Sequence, residues 1–270
     1  FNLPVDAHGT IFVERFLLLV LLLLAPWVGF GLDALGQWPR LQPLRGLPIP
    51  ATIILAMLAV SHTLPRLDEA QSPAVDAYVH NALATLAPDS VVFAAADHEV
   101  FGFVYALEVE RLRPDVSVVA RRLMPGRWYQ ARLAAHFELR AAGEFGGETL
   151  ASYLTEAGRP VLLSGPFYPR LMAAHPSYPE GAFVRIAPLA ARPPDPFVLA
   201  QANVAIFERY ELDYTFPSDR WSWAGHVHTS YAQSWLSLAA SFDGLGAEAP
   251  ANEARRRALI LAPWLADGAP

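Results

Sequence analysis

The chain of 270 residues contains no cysteine, no lysine and no long block of basic residues. Without cysteine it can form no disulfide, no thiolate nucleophile and no cysteine-bound metal site, although this absence identifies no compartment. Its 20 arginines are outnumbered by 26 acidic residues, which leaves a net charge of −6. No basic patch for nucleic acid is therefore predicted, and thiol chemistry is excluded.

Charged residues are also missing from two long apolar stretches near the start, residues 16–32 and 46–65. A helix needs about 20 apolar residues to cross a bilayer, and about 17 is the lower limit. The pattern predicts a transmembrane hairpin over residues 1–66, with spans at about 16–32 and 47–64, and the lipid bilayer as its partner. A buried core helix is the alternative for either stretch.

The loop between the two stretches carries Arg40 and Arg45 against Asp33. Short loops with an excess of arginine usually stay cytoplasmic. This predicts a multi-pass protein of the cell inner membrane, with the residues after about 66 in the periplasm. The chain starts at Phe1 without a signal-peptide pattern. We interpret it as the C-terminal piece of a longer membrane protein, packed against upstream transmembrane helices.

After residue 66, short apolar runs alternate with segments of helical periodicity. The predicted strands are residues 90–95, 116–120, 160–164 and 182–186, and the predicted helices are residues 72–87, 99–111, 128–142 and 148–157. Strands separated by helices favour a parallel sheet with crossover helices. The sequence predicts a small three-layer α/β domain with a mostly parallel sheet over residues 67–190.

An aromatic-rich helical region follows over residues 191–270. Within it, residues 232–264 resemble one tetratricopeptide repeat, a helix pair of 34 residues with small residues where the helices cross. A single repeat cannot bury its own apolar face. Either more repeats follow the chain, or the pair packs on the α/β domain; an ordinary helical hairpin is the alternative.

One candidate ligand site is the acidic turn formed by Asp97, His98 and Glu99. It follows the first predicted strand and opens a helix, and ligands of open α/β sheets bind at that edge. The alternative is that Asp97 only caps the helix. No glycine-rich phosphate loop accompanies the turn, so a nucleotide fingerprint is absent.

A second candidate is an aromatic cluster that includes Trp221 and Trp223. Aromatic faces with polar neighbours suit a sugar, but they equally suit core packing or a membrane interface. The nearby His226 and His228 could bind zinc only with one or two further ligands. We predict no metal site from this pair.

The stretch from Tyr78 to Tyr129 resembles polytopic membrane proteins of the DUF2723 type, which are related to protein O-mannosyltransferases of the GT-C class. The matching pattern is a helix, a strand, an acidic turn with Asp97, a second helix, the sequence R-x-D-V at 113–116 and a strand, closed by Trp128 and Tyr129. The chain departs from the family at the acidic turn, where the usual G-D-N-D is Ala-Asp-His-Glu.

The resemblance implies a parent enzyme that transfers a sugar from a polyprenyl-phosphate donor to a protein or glycan acceptor, with its catalytic base before Phe1. This segment would then be a non-catalytic C-terminal portion, inactive alone and without a cofactor of its own. Its outer domain would help to bind the acceptor, with Trp128 and Tyr129 among the contacts. The alternative is a non-enzymatic, membrane-anchored scaffold or sensor with a protein-binding helical-repeat tail.

Overall fold

The computed structural model describes residues 72–139 and 145–267, together with isolated residues within 23–34 and 53–61. The chain forms two compact units, Phe1–Gln71 and Ser72–Pro270, and the fold below is that of the second. Most of the predicted spans at 16–32 and 47–64 lies outside the described residues. Within the described residues, none of the helices has the length and apolar character that crossing a bilayer requires. The described part of the chain thus gives no support to the predicted transmembrane helices.

The second unit alternates helices and strands, as the sequence predicts. Its elements are α1 (Ala74–Thr85), β1 (Val91–Ala94), α2 (Asp97–Glu108), β2 (Ser117–Ala120), α3 (Arg127–His136), α4 (Gly147–Glu156), β3 (Val161–Leu163), α5 (Pro169–Ala174), β4 (Ser177–Glu180), β5 (Phe183–Ile186), α6 (Pro196–Phe207), α7 (Trp223–Gly244) and α8 (Glu248–Leu261).

The five strands form one mixed sheet in the order β2-β1-β3-β5-β4. Strand β1 runs parallel to β2 and β3, whereas β5 is antiparallel to both β3 and β4. The prediction of a mostly parallel sheet is therefore corrected, because the β4–β5 hairpin was missed. Strand β4 contains Pro179 and lies at the sheet edge, where proline is tolerated but gives no strand signal. Gly181 turns the hairpin with a φ of 61°, which favours glycine.

Helices cover both faces of the sheet, which confirms a three-layer α/β arrangement. Successive strand residues point to opposite faces. Val92 and Leu162 pack into one apolar core with α1, α2, α6, α7 and α8. Phe93 and Leu163 pack into another with α3, α4 and α5. Each such fully buried side chain stabilises the fold by about 1.5–3 kcal/mol.

The predicted repeat-like segment forms the hairpin of α7 and α8. Ser222 caps α7, since its hydroxyl accepts a hydrogen bond of 3.0 Å from the Gly225 amide. Ala251 and Ala258 are fully buried in the core that also contains Trp235. Through this core the hairpin packs against α1 and the β4–β5 hairpin. The pair thus buries its apolar face on the α/β domain.

Arg113 fixes the end of α1 from the turn before β2. Its guanidinium donates hydrogen bonds to the carbonyls of Leu83 at 2.6 Å, Leu86 at 2.9 Å and Ala87 at 3.2 Å. It also forms a bidentate pair with Asp115, at 2.9 and 2.7 Å. The carbonyls at a helix end have no partner within the helix, so this arginine satisfies them.

We expect Arg113→Ala to lower the free energy of unfolding by about 2 kcal/mol, because charged hydrogen bonds to three carbonyls are lost. Urea denaturation measures this change. Arg111→Ala is the matched control. Arg111 is exposed and, like Arg113, has a positive φ, which is 57° at Arg111. Equal destabilisation by the two substitutions would contradict the role assigned to Arg113.

Candidate functional site

The order of the strands reverses between β1 and β3, because the chain passes from β1 to β2 on one side and then crosses to β3 on the other. Ligands of α/β sheets bind outside the carboxyl ends of the strands at such a point. A cleft of about 390 Å³ lies there. Residues from the loop after β1, the start of α2, the loop after β3 and helix α7 line it: Ala95, Ala96, His98, Glu99, Ser164, Gly165, Pro166, Phe167, His226 and Ser230.

A larger groove of about 1270 Å³ lies between α1 and residues 209–214. Several of its polar side chains bond the protein itself. Asn81 exchanges hydrogen bonds with the backbone of Glu211, at 3.2 and 2.8 Å, and Arg209 donates to the Ala84 carbonyl at 2.8 Å. These bonds tie the groove walls together, so we place the candidate site in the smaller cleft.

Glu99 is a buried carboxylate at the floor of the cleft, with 3% of its surface exposed. It accepts hydrogen bonds from the amides of Ala95 at 3.2 Å and Ala96 at 3.1 Å. The hydroxyls of Ser164 and Tyr78 also donate to it, at 2.6 and 3.4 Å. Burial raises the pKa of Glu99, and the four hydrogen bonds oppose that rise.

Glu99 occupies the anion position at the start of α2. The N-cap residue is Ala96, which has no side-chain oxygen, and the carboxylate three residues later accepts from the Ala96 amide and from the Ala95 amide before it. Helix capping was predicted for Asp97, but Asp97 is the first residue inside α2. The structure therefore gives the capping role to Glu99.

His98 carries the unsatisfied polar atoms of the site. Both ring nitrogens are buried, and neither has a hydrogen-bond partner. Its ring centre lies 5.1 Å from that of Trp223 and 6.0 Å from that of His226. Burial, with the nearby His226, lowers the pKa of His98 to about 4. At neutral pH the ring is uncharged and offers one donor and one acceptor.

The structure does not bring all the predicted site residues together. Asp97, His98, Glu99 and Trp223 lie at or beside the cleft. Trp128 is 63% exposed on α3, and its ring packs on Tyr129. Other predicted contacts also have local roles: the Tyr129 hydroxyl accepts a 2.7 Å hydrogen bond from Ala120, and Arg220 lies over the Trp221 ring.

Ser164 and Phe167 also line the cleft, and neither was among the predicted site residues. The position of Ser164 directly after a predicted strand was the available signal. The histidine pair is split: His226 lines the cleft, whereas His228 contacts the Leu261 carbonyl at 2.7 Å and the Tyr214 hydroxyl at 3.0 Å. Within the described ranges, no group of three potential ligands could hold a metal ion.

Removal of the Glu99 carboxylate tests its capping role. We expect Glu99→Ala to lower the free energy of unfolding by about 3 kcal/mol or more, because two amides and two hydroxyls lose their acceptor. Glu99→Gln keeps one side-chain acceptor and should cost less. Chemical denaturation at neutral pH measures both changes. Equal effects of the two variants would contradict the network.

The depressed pKa of His98 predicts acid sensitivity. Between pH 6.5 and about pH 4 the unfolded chain binds a proton at His98 that the folded protein does not. The free energy of unfolding therefore falls as the pH falls through that window, by at most about 3 kcal/mol. His98→Phe should flatten this dependence in denaturation curves collected across the range.

His80→Phe is the control for this experiment. A hydrogen bond with the Asp76 carbonyl raises the pKa of His80, with further help from the carboxylates of Asp76 and Glu110. The stability that His80 contributes is present below pH 6.5 and is lost as the pH rises through the raised pKa. His80→Phe should therefore lower the free energy of unfolding below pH 6.5 and alter its pH dependence only near and above that value. A His98→Phe curve parallel to that of the unsubstituted protein would refute the assignment.

Comparison with known proteins gives one family match. The model of TMEM260-associated domain 2 matches residues 75–138, less than half of the chain. The match covers α1 to α3 and so includes His98 and Glu99, but neither Ser164 nor α7. No curated protein and no solved structure shows significant similarity to the chain.

This match corrects the resemblance drawn from the sequence. The matching family is TMEM260-associated domain 2 and not a DUF2723-type family, and no comparison supports a GT-C glycosyltransferase. The identification as an O-mannosyltransferase-like, DUF2723-type protein is therefore wrong. It relied on the order of helices and strands and on short motifs such as R-x-D-V, which many α/β domains can present.

Proposed function

We propose that the α/β unit is a non-catalytic binding module for a neutral carbohydrate. The observation that carries the proposal is the cleft where the strand order reverses: its anion position is filled by the protein's own Glu99, and its unsatisfied group is the neutral ring of His98.

Charge argues against a phosphate or carboxylate ligand at the floor of the cleft. A helix start attracts anions through its free amides and its dipole. Here the Glu99 carboxylate holds the amides of Ala95 and Ala96. A second anion would face like charge across a partly buried site, which is unfavourable. The ligand that suits this floor is uncharged.

Hydrogen bonding argues for a ligand with hydroxyl groups. A buried polar atom without a partner costs about 1–3 kcal/mol. Both ring nitrogens of His98 are buried and have no hydrogen-bond partner. Two sugar hydroxyls can satisfy the ring, one by donating to the unprotonated nitrogen and the other by accepting from the protonated nitrogen. Because both nitrogens are buried, binding of this kind requires the cleft wall to open at His98.

Shape and size agree with one sugar ring or two. Phe167 lines the cleft, and Trp223, 42% exposed, lies beside His98. The apolar face of a pyranose ring can pack on such aromatic surfaces. The cleft volume of about 390 Å³ falls in the range of small-molecule sites, about 300–1,000 Å³.

The proposal assigns binding and no bond cleavage. The Ser164 hydroxyl donates a hydrogen bond of 2.6 Å to the Glu99 carboxylate. Among the described residues, it forms no hydrogen bond with a histidine that could activate it as a nucleophile. A protein-binding role for the helical tail stays a prediction, since the apolar face of that hairpin is packed on the sheet.

Titration of isotope-labelled protein with glucose, followed by NMR chemical shifts, tests the proposal. We expect millimolar binding, with the largest shifts at residues 95–99 and 164–167. Trp223→Ala should weaken this binding about tenfold, because an aromatic contact of about 1–1.5 kcal/mol is lost. Trp128→Ala, the matched exposed tryptophan on α3, should leave it unchanged.

Two results would overturn the proposal. One is the absence of saturable shifts with glucose, galactose and mannose. The other is binding that Trp128→Ala reduces as much as Trp223→Ala, which would place the sugar outside the cleft.

A further inference from the structure

A second, smaller cavity adjoins the cleft. It has a volume of about 90 Å³ and lies between the end of β3, the β4–β5 hairpin and α7. Ser164, Gly165, Pro166 and Ser230 line both the cavity and the cleft, so the two spaces share a wall. We call the smaller space the inner chamber. It can hold a few water molecules and is too small for a second sugar ring.

The wall of the inner chamber is rich in neutral polar groups. Its hydroxyl and amide side chains include Ser164, Ser177, Ser230, Gln233, Ser234 and Ser237. Ser234 is 5% exposed, and its side chain lines the chamber. Ser230 donates to the His226 carbonyl at 3.2 Å. A hydroxyl that lines a small polar cavity, as at Ser234, can bond water or a ligand.

The remaining wall is apolar and uncharged. Met172, Phe183 and Val184 face the same chamber. No arginine, histidine, aspartate or glutamate of the described residues lines it. A charged substituent would lose its hydration there without gaining a counter-charge, which is costly. The chamber therefore suits a short neutral group with one polar and one apolar part.

We propose that the inner chamber takes the acetamido substituent of a sugar whose ring lies in the cleft. The inference rests on the proposed function, and it names the ligand class as 2-acetamido sugars. The Ser234 hydroxyl bonds the amide, and the methyl group packs against Met172 and Phe183. A hydroxymethyl group has no methyl for this apolar wall, so it fills the chamber less well.

The affinities of N-acetylglucosamine and glucose for the same protein, measured by NMR titration, test the inference. We expect N-acetylglucosamine to bind about tenfold more tightly, since it adds an apolar contact and a hydrogen bond. Ser234→Ala removes only the hydroxyl and should weaken N-acetylglucosamine about fivefold without changing glucose. Ser241→Ala, an exposed serine on the same helix, is the control and should change neither.

The outcomes separate the two proposals. Equal affinities for the two sugars, or a Ser234→Ala variant that weakens both alike, would overturn the acetamido assignment and leave carbohydrate binding in place. Failure of both sugars to bind would overturn carbohydrate binding itself, and the chamber assignment with it. A preference for N-acetylglucosamine that Ser234→Ala reduces about fivefold supports both.

Discussion

The site is organised by one buried carboxylate. Glu99 joins its own turn, between β1 and α2, to two segments that are distant in sequence: it accepts from Ala95 and Ala96 within the turn, from Ser164 at the end of β3 and from Tyr78 on helix α1. A charge removed from water is tolerated only when its oxygens are satisfied, and here four donors satisfy them. The carboxyl ends of β1 and β3 are therefore held at a fixed spacing, and the cleft between them depends on that spacing.

The same interaction limits what the cleft can bind. Many α/β proteins leave the first helix start open, and an anionic ligand completes it. In this chain a side chain has taken that position, so the remaining recognition groups are uncharged: a neutral imidazole at His98, hydroxyls at Ser164 and Ser230, and the aromatic rings of Phe167 and Trp223. Among uncharged ligands, discrimination in such a site would depend on hydrogen-bond geometry and shape.

Much of the fold could be predicted from the sequence, because the apolar runs of β1, β2 and β3 and the helical periodicities between them are local signals. Strand β4 could not, since Ser-Tyr-Pro-Glu has no strand pattern and pairs only because β5 lies beside it. The site shows the same division. His98 and Glu99 follow a recognisable strand, but the contact of Glu99 with Ser164 spans 65 residues. No local pattern specifies such a contact. Family resemblance based on short motifs failed for a related reason, because those motifs report an architecture that unrelated proteins share.

Helix α7 has a consequence for how the protein can be divided. His226, Ser230 and Ser234 recur every fourth residue and so share one face of α7, which closes the cleft and the inner chamber. Val227, Tyr231 and Trp235 lie one position further along and are buried in the core. The helical tail is thus a wall of the site as well as a layer of the fold. A shorter chain ending near residue 190 would keep the sheet but lose the α7 wall of the cleft and of the chamber. Substitutions at the small residues of α8 that pack against α7 would shift α7 and so change the shape of the site without contacting it.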